Sequence, residues 1–121
     1  MLMQENLMND CIFCQIIAGN LPAQRLYEDE HVLVIPDKFP KAEVHLLVLP
    51  RIHIPSLREI TAAHDPLMAH IMRLLPKVAQ EHGLVDGFRT IINTGVGGDQ
   101  VIFHIHVHIM GKRPPSVVRG S

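Results

Sequence analysis

The chain has 121 residues, enough for one compact core and too few for two, with 47% hydrophobic and 19% charged residues. Lys plus Arg number 11 against 12 Asp plus Glu, a formal net charge of −1, which excludes a broad electrostatic grip on nucleic acid or an anionic membrane. Two cysteines exclude a disulfide framework, and no apolar run nears the roughly 20 residues that span a bilayer. Residues 1–10 have no basic n-region and no continuous apolar stretch, so no signal peptide is expected and a cytoplasmic location is. One number stands out: nine histidines, beside one Tyr and no Trp.

Taken in order, residues 1–10 read as a flexible N-terminal segment, 11–114 as a single domain and 115–121 as a C-terminal tail. Residues 11–18 are a short apolar stretch with Ile12, Ile16 and Ile17 at helical spacing, stopped by Gly19. Residues 25–28 and 31–35 predict two short strands about an acidic turn, Glu28-Asp29-Glu30. Residues 44–49 predict a strand too apolar for alternation, hence one covered on both faces. Over residues 65–82 the period becomes helical, with Met68, Ile71, Met72, Leu75 and Ala79 on one stripe, Pro66 in the first turn and Gly83 at the C-terminal cap. Pro76 deletes a backbone hydrogen bond inside this helix and predicts a kink or a break there. Residues 88–93 and 102–110 predict the last two strands. The sum is an α+β domain, a five-stranded mainly antiparallel sheet with one long and one short helix packed on one face.

The chemistry concentrates at Phe103-His104-Ile105-His106-Val107-His108-Ile109. On a strand, His104, His106 and His108 share one face and Ile105, Val107 and Ile109 the other, with neighbouring imidazoles about 6.7 Å apart. The apolar face is expected on the long helix and the histidine face in a cleft. A solvated face that is polar by chance is the plain alternative; three consecutive outward histidines argue against it. Two chemistries fit. Imidazoles can converge on zinc and leave an open position, or one can attack as a nucleophile while its neighbours fix its tautomer and move protons. The preceding Gly95, Gly97 and Gly98 can turn backbone N–H groups toward an anion, which favours a phosphorus centre, although a tight connection uses the same glycines.

His104-Ile105-His106-Val107-His108-Ile109-Met110 resembles the His-φ-His-φ-His-φ-φ signature of the histidine triad superfamily, where φ is apolar. The resemblance runs from Cys11-Ile12-Phe13-Cys14-Gln15-Ile16-Ile17 through Pro40, His45 and Pro50-Arg51-Ile52-His53-Ile54 to the triad, and is greatest with the Hint branch of small nucleotide-binding proteins. It implies that His106 attacks the α-phosphorus of a purine nucleoside phosphoramidate or related conjugate, giving a nucleotidyl-histidine that water hydrolyses. It implies further that the His104 carbonyl holds the other ring nitrogen of His106, that His108 contacts the phosphoryl or leaving group, and that His45 is a fourth active-site histidine. Asp37 matches the ribose-binding carboxylate. Ile12, Phe13, Ile16 and Ile35 match the walls around the base, and Asn93 with Asp99, Gln100 and Val101 the phosphate-binding segment. No cofactor is implied for catalysis, and the partner implied besides the nucleotide is a second copy, paired through the long helix and an edge strand.

Each residue has a plain alternative: His45 as a satisfied core histidine, Asp37 as a turn carboxylate, the four apolar residues as core. His31, His64, His70 and His82 read as loop or helix-surface positions without a site role. Three departures from the family pattern bear on substrate. Val101 stands where a polar residue is frequent near the leaving group, and losing such a donor costs on the order of 10²-fold in rate. Asp99 replaces a glycine and brings a carboxylate beside the expected phosphate; Lys38 stands where an apolar residue is usual beside the base. Cys11-x-x-Cys14 supplies half a tetrahedral zinc site, and some bacterial members of the family complete it at the positions of His53 and His104; two buried thiols are the alternative. Three readings stay open: a hydrolase acting through a nucleotidyl-histidine, a nucleotide-binding or regulatory protein whose chemistry has decayed, and a zinc hydrolase using the triad as ligands.

Overall fold

A computed structural model of the chain describes residues 10–115. The expected N-terminal segment and C-terminal tail lie, apart from Asp10 and Pro115, outside the described residues. Five strands, β1 (Tyr27–Glu28), β2 (Val32–Pro36), β3 (Val44–Pro50), β4 (Arg89–Ile91) and β5 (Val107–Gly111), form one antiparallel sheet in the order β1-β2-β3-β5-β4. The α+β class and the five-stranded sheet are those expected. β3 is central and buried at every position. Its side chains alternate between two apolar layers. Val44, Leu46 and Val48 join Val32, Val34, Val107 and Ile109 under the long helix α2 (Asp65–Glu81), while Leu47 and Leu49 join Leu33 and Ile35 under the short helix α1 (Ile12–Ile17). The helices therefore cover opposite faces, not one, which is why the strand carries no polar alternation.

Three strands, β1, β4 and β5, are shorter than expected. β1 begins at Tyr27, not Arg25, and β4 covers only Arg89–Ile91 of the expected 88–93. The largest difference is at β5, which begins at Val107, so residues 102–106 lie outside the sheet. Burial explains the misreading: Ile105 is as buried as a core strand residue, yet its N–H donates to the Ile54 carbonyl at 2.7 Å and to no strand.

Helix α2 runs through Pro76 without interruption. Pro76 is exposed, and Ile71, Leu74, Leu75, Val78 and Ala79, buried on the sheet, hold the helix through the missing hydrogen bond. The buried stripe is also rotated from the expected one, taking in Leu74 and Val78 and leaving Met72 exposed. Gly83, in the left-handed region at φ 89°, ends the helix as expected, with the Leu84 N–H closing on the Ala79 carbonyl at 3.0 Å. His70 is more than a surface residue. Its Nε2 meets Asp29 Oδ2 at 2.7 Å, and Asp29 also accepts from Tyr27 Oη and the His31 and Val32 N–H groups, tying α2 to the β1–β2 turn. Burial works against the Asp29 anion, but these donors outweigh it and hold the carboxyl well below its usual range.

Because α2 tolerates Pro76 only through its buried stripe, Pro76→Ala should restore a backbone hydrogen bond and raise unfolding stability by about 1–3 kcal/mol. A rise in the urea midpoint is the expected result; a fall would show that the proline fits a bend the packing requires.

Candidate active site

Of the three triad histidines only His108 belongs to the sheet. His104 and His106 precede β5, yet Phe13 of the α1 layer packs against both rings, while Val107 and Ile109 lie in the opposite layer. The wholly buried His104 ring turns inward, with Nε2 2.8 Å from the Pro50 carbonyl. A carbonyl only accepts, so Nε2 carries the proton and Nδ1 keeps its lone pair. His106 is the converse: its Nδ1 donates to the carbonyl of His104 at 2.8 Å, which leaves Nε2 as the basic nitrogen. The ring centroids of His106 and His108 lie 5.0 Å apart, and Phe13 packs edge-on against both His106, at 5.1 Å, and His104, at 5.8 Å.

A second chain of bonds fixes His108. The Lys41 backbone N–H donates to His45 Nδ1 at 3.0 Å, so the proton of neutral His45 sits on Nε2. That nitrogen is 2.8 Å from His108 Nδ1 and 3.3 Å from Asp37 Oδ2. His108 accepts at Nδ1 and carries its own proton at Nε2. Burial lowers the pKa of His45 despite Asp37, so the ring is neutral, its one Nε2 proton serves His108, and the contact with Asp37 is not an ion pair. Burial, and then the neighbouring His106 and His45, push His108 down to about 4. Burial also lowers His106, against the His104 carbonyl and Asp37, which favour its cation. All three are neutral at pH 7, with a basic nitrogen on His106 beside an N–H on His108.

The free Nδ1 of His104 enters a third group. It lies 3.4 Å from Cys11 Sγ and 3.5 Å from Cys14 Sγ, and Cys14 Sγ lies 3.2 Å from His53 Nδ1. The four donor atoms fall within 4.8 Å of one another. Zinc with thiolates at about 2.3 Å and imidazoles at about 2.0 Å has tetrahedral S···N edges near 3.5 Å, so these separations match a filled site. Burial, then the Cys11 thiol, push Cys14 up to about 12, so without a metal the thiol keeps its proton, and a cation binding here displaces it. By contrast, His104, His106 and His108 share no common donor centre among the described residues. Because the three rings do not converge on one point, the reading of the triad as ligands to a catalytic zinc is set aside.

The remaining expected residues divide. Phe13, Ile16 and Ile35 are buried in the layer beside the triad, whereas Ile12 is 46% exposed. Asp37 touches His45, and its other oxygen accepts from the Phe39 N–H at 2.8 Å. Exposed Lys38 carries its ammonium 5.9 Å from the Phe39 ring centroid. The glycine loop closes on itself: the N–H groups of Gly95, Gly98, Asp99 and Gln100 all have partners within it, so it presents fewer donors to an anion than its glycines suggest. The Gln100 side chain is buried as a brace to Gly95, Pro55 and Ile102, Asn93 holds the Gly98 carbonyl, and Asp99 adopts the left-handed conformation at φ 64°. Val101 is 87% exposed. The backbone groups of Lys41, Pro50 and Ile54 were not foreseen; they act through N–H and C=O groups that every residue type carries, so no side-chain pattern announces them.

A family profile described as "Scavenger mRNA decapping enzyme C-term binding" matches residues 10–120. Protein HitA of Neisseria gonorrhoeae is 47% identical over 104 residues, covering 86% of this chain and 97% of that protein. The chain belongs to the histidine triad family. Another family relative, the purine nucleoside phosphoramidase of Escherichia coli K12, is 34% identical, with 89% of this chain and 92% of that protein covered. Among solved structures, a HIT family hydrolase from Legionella pneumophila superposes with a TM-score of 0.83 at 37% identity, covering 87% of this chain and 95% of that one. A Zn-bound histidine triad family protein from Mycobacterium smegmatis gives 0.75 at 37%, covering 89% and 78%.

The lowered pKa of His108 carries a stability cost in acid. The unfolded residue takes up a proton near pH 6.5 and the folded one only near pH 4, so stability present at pH 7.5 is lost as pH falls through that window. His108→Asn removes the penalty. Between pH 7.5 and 5.5 the stability of wild type relative to this variant should fall by about 1 kcal/mol, read from urea unfolding at both pH values; a constant difference would mean that folding leaves the protonation of His108 unchanged.

Proposed function

We propose that this histidine triad protein hydrolyses purine nucleoside phosphoramidates, or related nucleotide conjugates, through a nucleotidyl-histidine on His106. The observation that carries the reading is the opposite tautomers of neighbouring rings, a lone pair on His106 Nε2 and a proton on His108 Nε2. A nucleophile and a proton donor are what displacement of an amine from phosphorus needs. The named activity of the Escherichia coli relative supports the substrate class.

In the first step His106 Nε2 forms a bond to the α-phosphorus and the P–N bond breaks, its electron pair leaving with the amine. The amine takes a proton from the His108–His45 pair. That pair is neutral in the free protein; the negative phosphoryl group raises its proton affinity, so it takes up one proton from solvent as substrate binds, and this is the proton the amine receives. In the second step water attacks phosphorus, the N–P bond breaks, and the water's proton returns to the pair. One phosphoramidate and one water give one amine and one nucleoside monophosphate. Asp37 is assigned to the ribose hydroxyls, with Phe13, Ile16 and Ile35 against the base. With Val101 bearing no donor, leaving-group protonation falls on His108.

Cys11, Cys14, His53 and His104 would hold a structural zinc; when bound it supplies a fixed tetrahedral anchor and takes no part in the chemistry. The Mycobacterium relative's zinc-bound structure supports this reading. No helix among the described residues is long and apolar enough to cross a membrane, and a cytoplasmic location remains part of the proposal. So does a homodimer, for which edge strand β4 offers backbone groups on its outer side.

Brief incubation with an adenosine phosphoramidate, quenched and weighed by mass spectrometry, should reveal protein carrying one added nucleotidyl group. His106→Asn should show none and lose on the order of 10⁴-fold in turnover. Wild-type protein with neither adduct nor turnover would leave the nucleotide-binding, non-catalytic reading in its place. His45→Gln should depend on the leaving group: about 10²-fold slower with an alkylamine, which needs a proton, and little changed with a nitrophenolate ester, which does not. Equal losses on both would assign His45 to packing alone.

A further inference from the structure

The segment that carries the nucleophile is not held by the sheet. β5 begins at Val107, one residue after His106, so the carbonyl that orients His106 belongs to a stretch without strand partners. Two backbone-directed bonds anchor it, Ile105 N–H to the Ile54 carbonyl at 2.7 Å and His104 Nε2 to the Pro50 carbonyl at 2.8 Å. Its third anchor is the His104 ring's Nδ1 among the two thiols. The same group of donors also controls the opposite wall. Cys11 is the N-cap residue of α1, with its sulfur accepting the Cys14 N–H at 3.3 Å, and Phe13 between them packs edge-on against His106. His53 joins residues 50–54, which supply both backbone acceptors, to this cluster.

From this geometry we infer that the Cys11–Cys14–His53–His104 cluster, loaded with zinc, is a positioning device for the nucleophile. It acts along two arms that meet at the His106 ring, the carbonyl of His104 on one side and Phe13 on the other. The inference rests on the zinc and nucleotidyl-histidine readings above and goes beyond both: the metal is not remote support for the fold but sets the direction of His106 Nε2. Emptying the cluster frees the His104 ring on its thiol side, lets its carbonyl swing, and removes the bond that keeps the proton of His106 on Nδ1. A displacement of about 1 Å at a reacting group costs on the order of 10²-fold in rate. The nucleotide-binding walls are less affected, because Ile16 and Ile35 stay packed on Leu33, Leu47 and Leu49 of the sheet.

The test compares zinc-loaded and chelator-stripped wild-type protein by three measurements: adenosine monophosphate affinity, single-turnover formation of the His106 adduct, and the ¹⁵N resonances of the His106 ring. Expected on stripping are an affinity within about threefold, an adduct rate lower on the order of 10²-fold, and a change from one Nδ1–H tautomer to a mixture, all reversed by zinc. Cys14→Ala should match the stripped protein. Cys14→His, which restores four donors, should load zinc and recover the single tautomer. Zinc that binds without altering either the His106 tautomer or the adduct rate would overturn the positioning role, and uptake of no zinc would overturn it together with the zinc reading. A zinc-dependent tautomer in a protein that forms no adduct would support the positioning role while sinking the proposed reaction.

Discussion

The direction of the His106 ring depends on one hydrogen bond, from its Nδ1 to the carbonyl of its neighbour two residues back, at 2.8 Å. That bond decides which nitrogen is basic, and therefore whether this imidazole can attack anything. A carbonyl is a fixed acceptor with no proton of its own, so it selects a tautomer that a side-chain partner, itself able to titrate, would select less firmly. The consequence reaches back through the chain. Since the acceptor is main chain, its place is set by whatever holds His104, and His104 is held by its own ring, buried between Pro50 and two sulfurs. One residue thus serves two centres, the backbone oxygen facing the nucleophile and the imidazole facing the thiols.

Neutrality is the second constraint. Histidines 45, 104, 106 and 108 are all buried or half-buried, and desolvation is the leading cause of the lowered pKa of each. Four cations this close would repel one another; four neutral rings instead interlock as donors and acceptors. Lys41, His45 and His108 form a one-way chain from a backbone N–H to an N–H at the site, and His106 ends a separate chain with a lone pair. Near-zero net charge fits such a centre. In the proposed reaction a phosphoryl anion entering it is met by hydrogen bonds and by a proton that its own charge draws onto the pair, not by a basic surface.

Much of this was legible in the residues. The alternation of His104 to His108 pointed to the cluster of histidines, the apolar run over residues 44–49 implied a strand covered on both faces, and the family resemblance added His53 and His104 to Cys11-x-x-Cys14, a donor set that the fold assembles within 4.8 Å. What was illegible has a common cause. The strand through residues 102–106 failed because burial and alternation are properties of side chains, whereas membership of a sheet is decided by where N–H and C=O groups point. The same blindness concealed Pro50, Ile54 and Lys41, which act only through their backbones, and made the glycines before Asp99 look like an anion nest when their N–H groups close a turn. Pro76 failed for a different reason: a local penalty of about 3 kcal/mol was set against no estimate of the buried stripe that offsets it.

The departures at residues 99–101 acquire a physical meaning from this geometry. Val101 lies almost wholly in solvent and offers no donor, while Gln100 is consumed in bracing the loop, so neither side chain can assist a leaving group. In the proposed reaction leaving-group protonation then falls on His108, supported by the short chain through His45 to a backbone N–H. Such a centre favours leaving groups that accept one proton from one direction, as an amine does, over those that need several donors to spread a negative charge, as a pyrophosphate does. Under the proposed reaction, the departure at Val101 is thus a narrowing of the chemistry rather than its loss, toward phosphorus–nitrogen bonds and away from phosphoanhydrides.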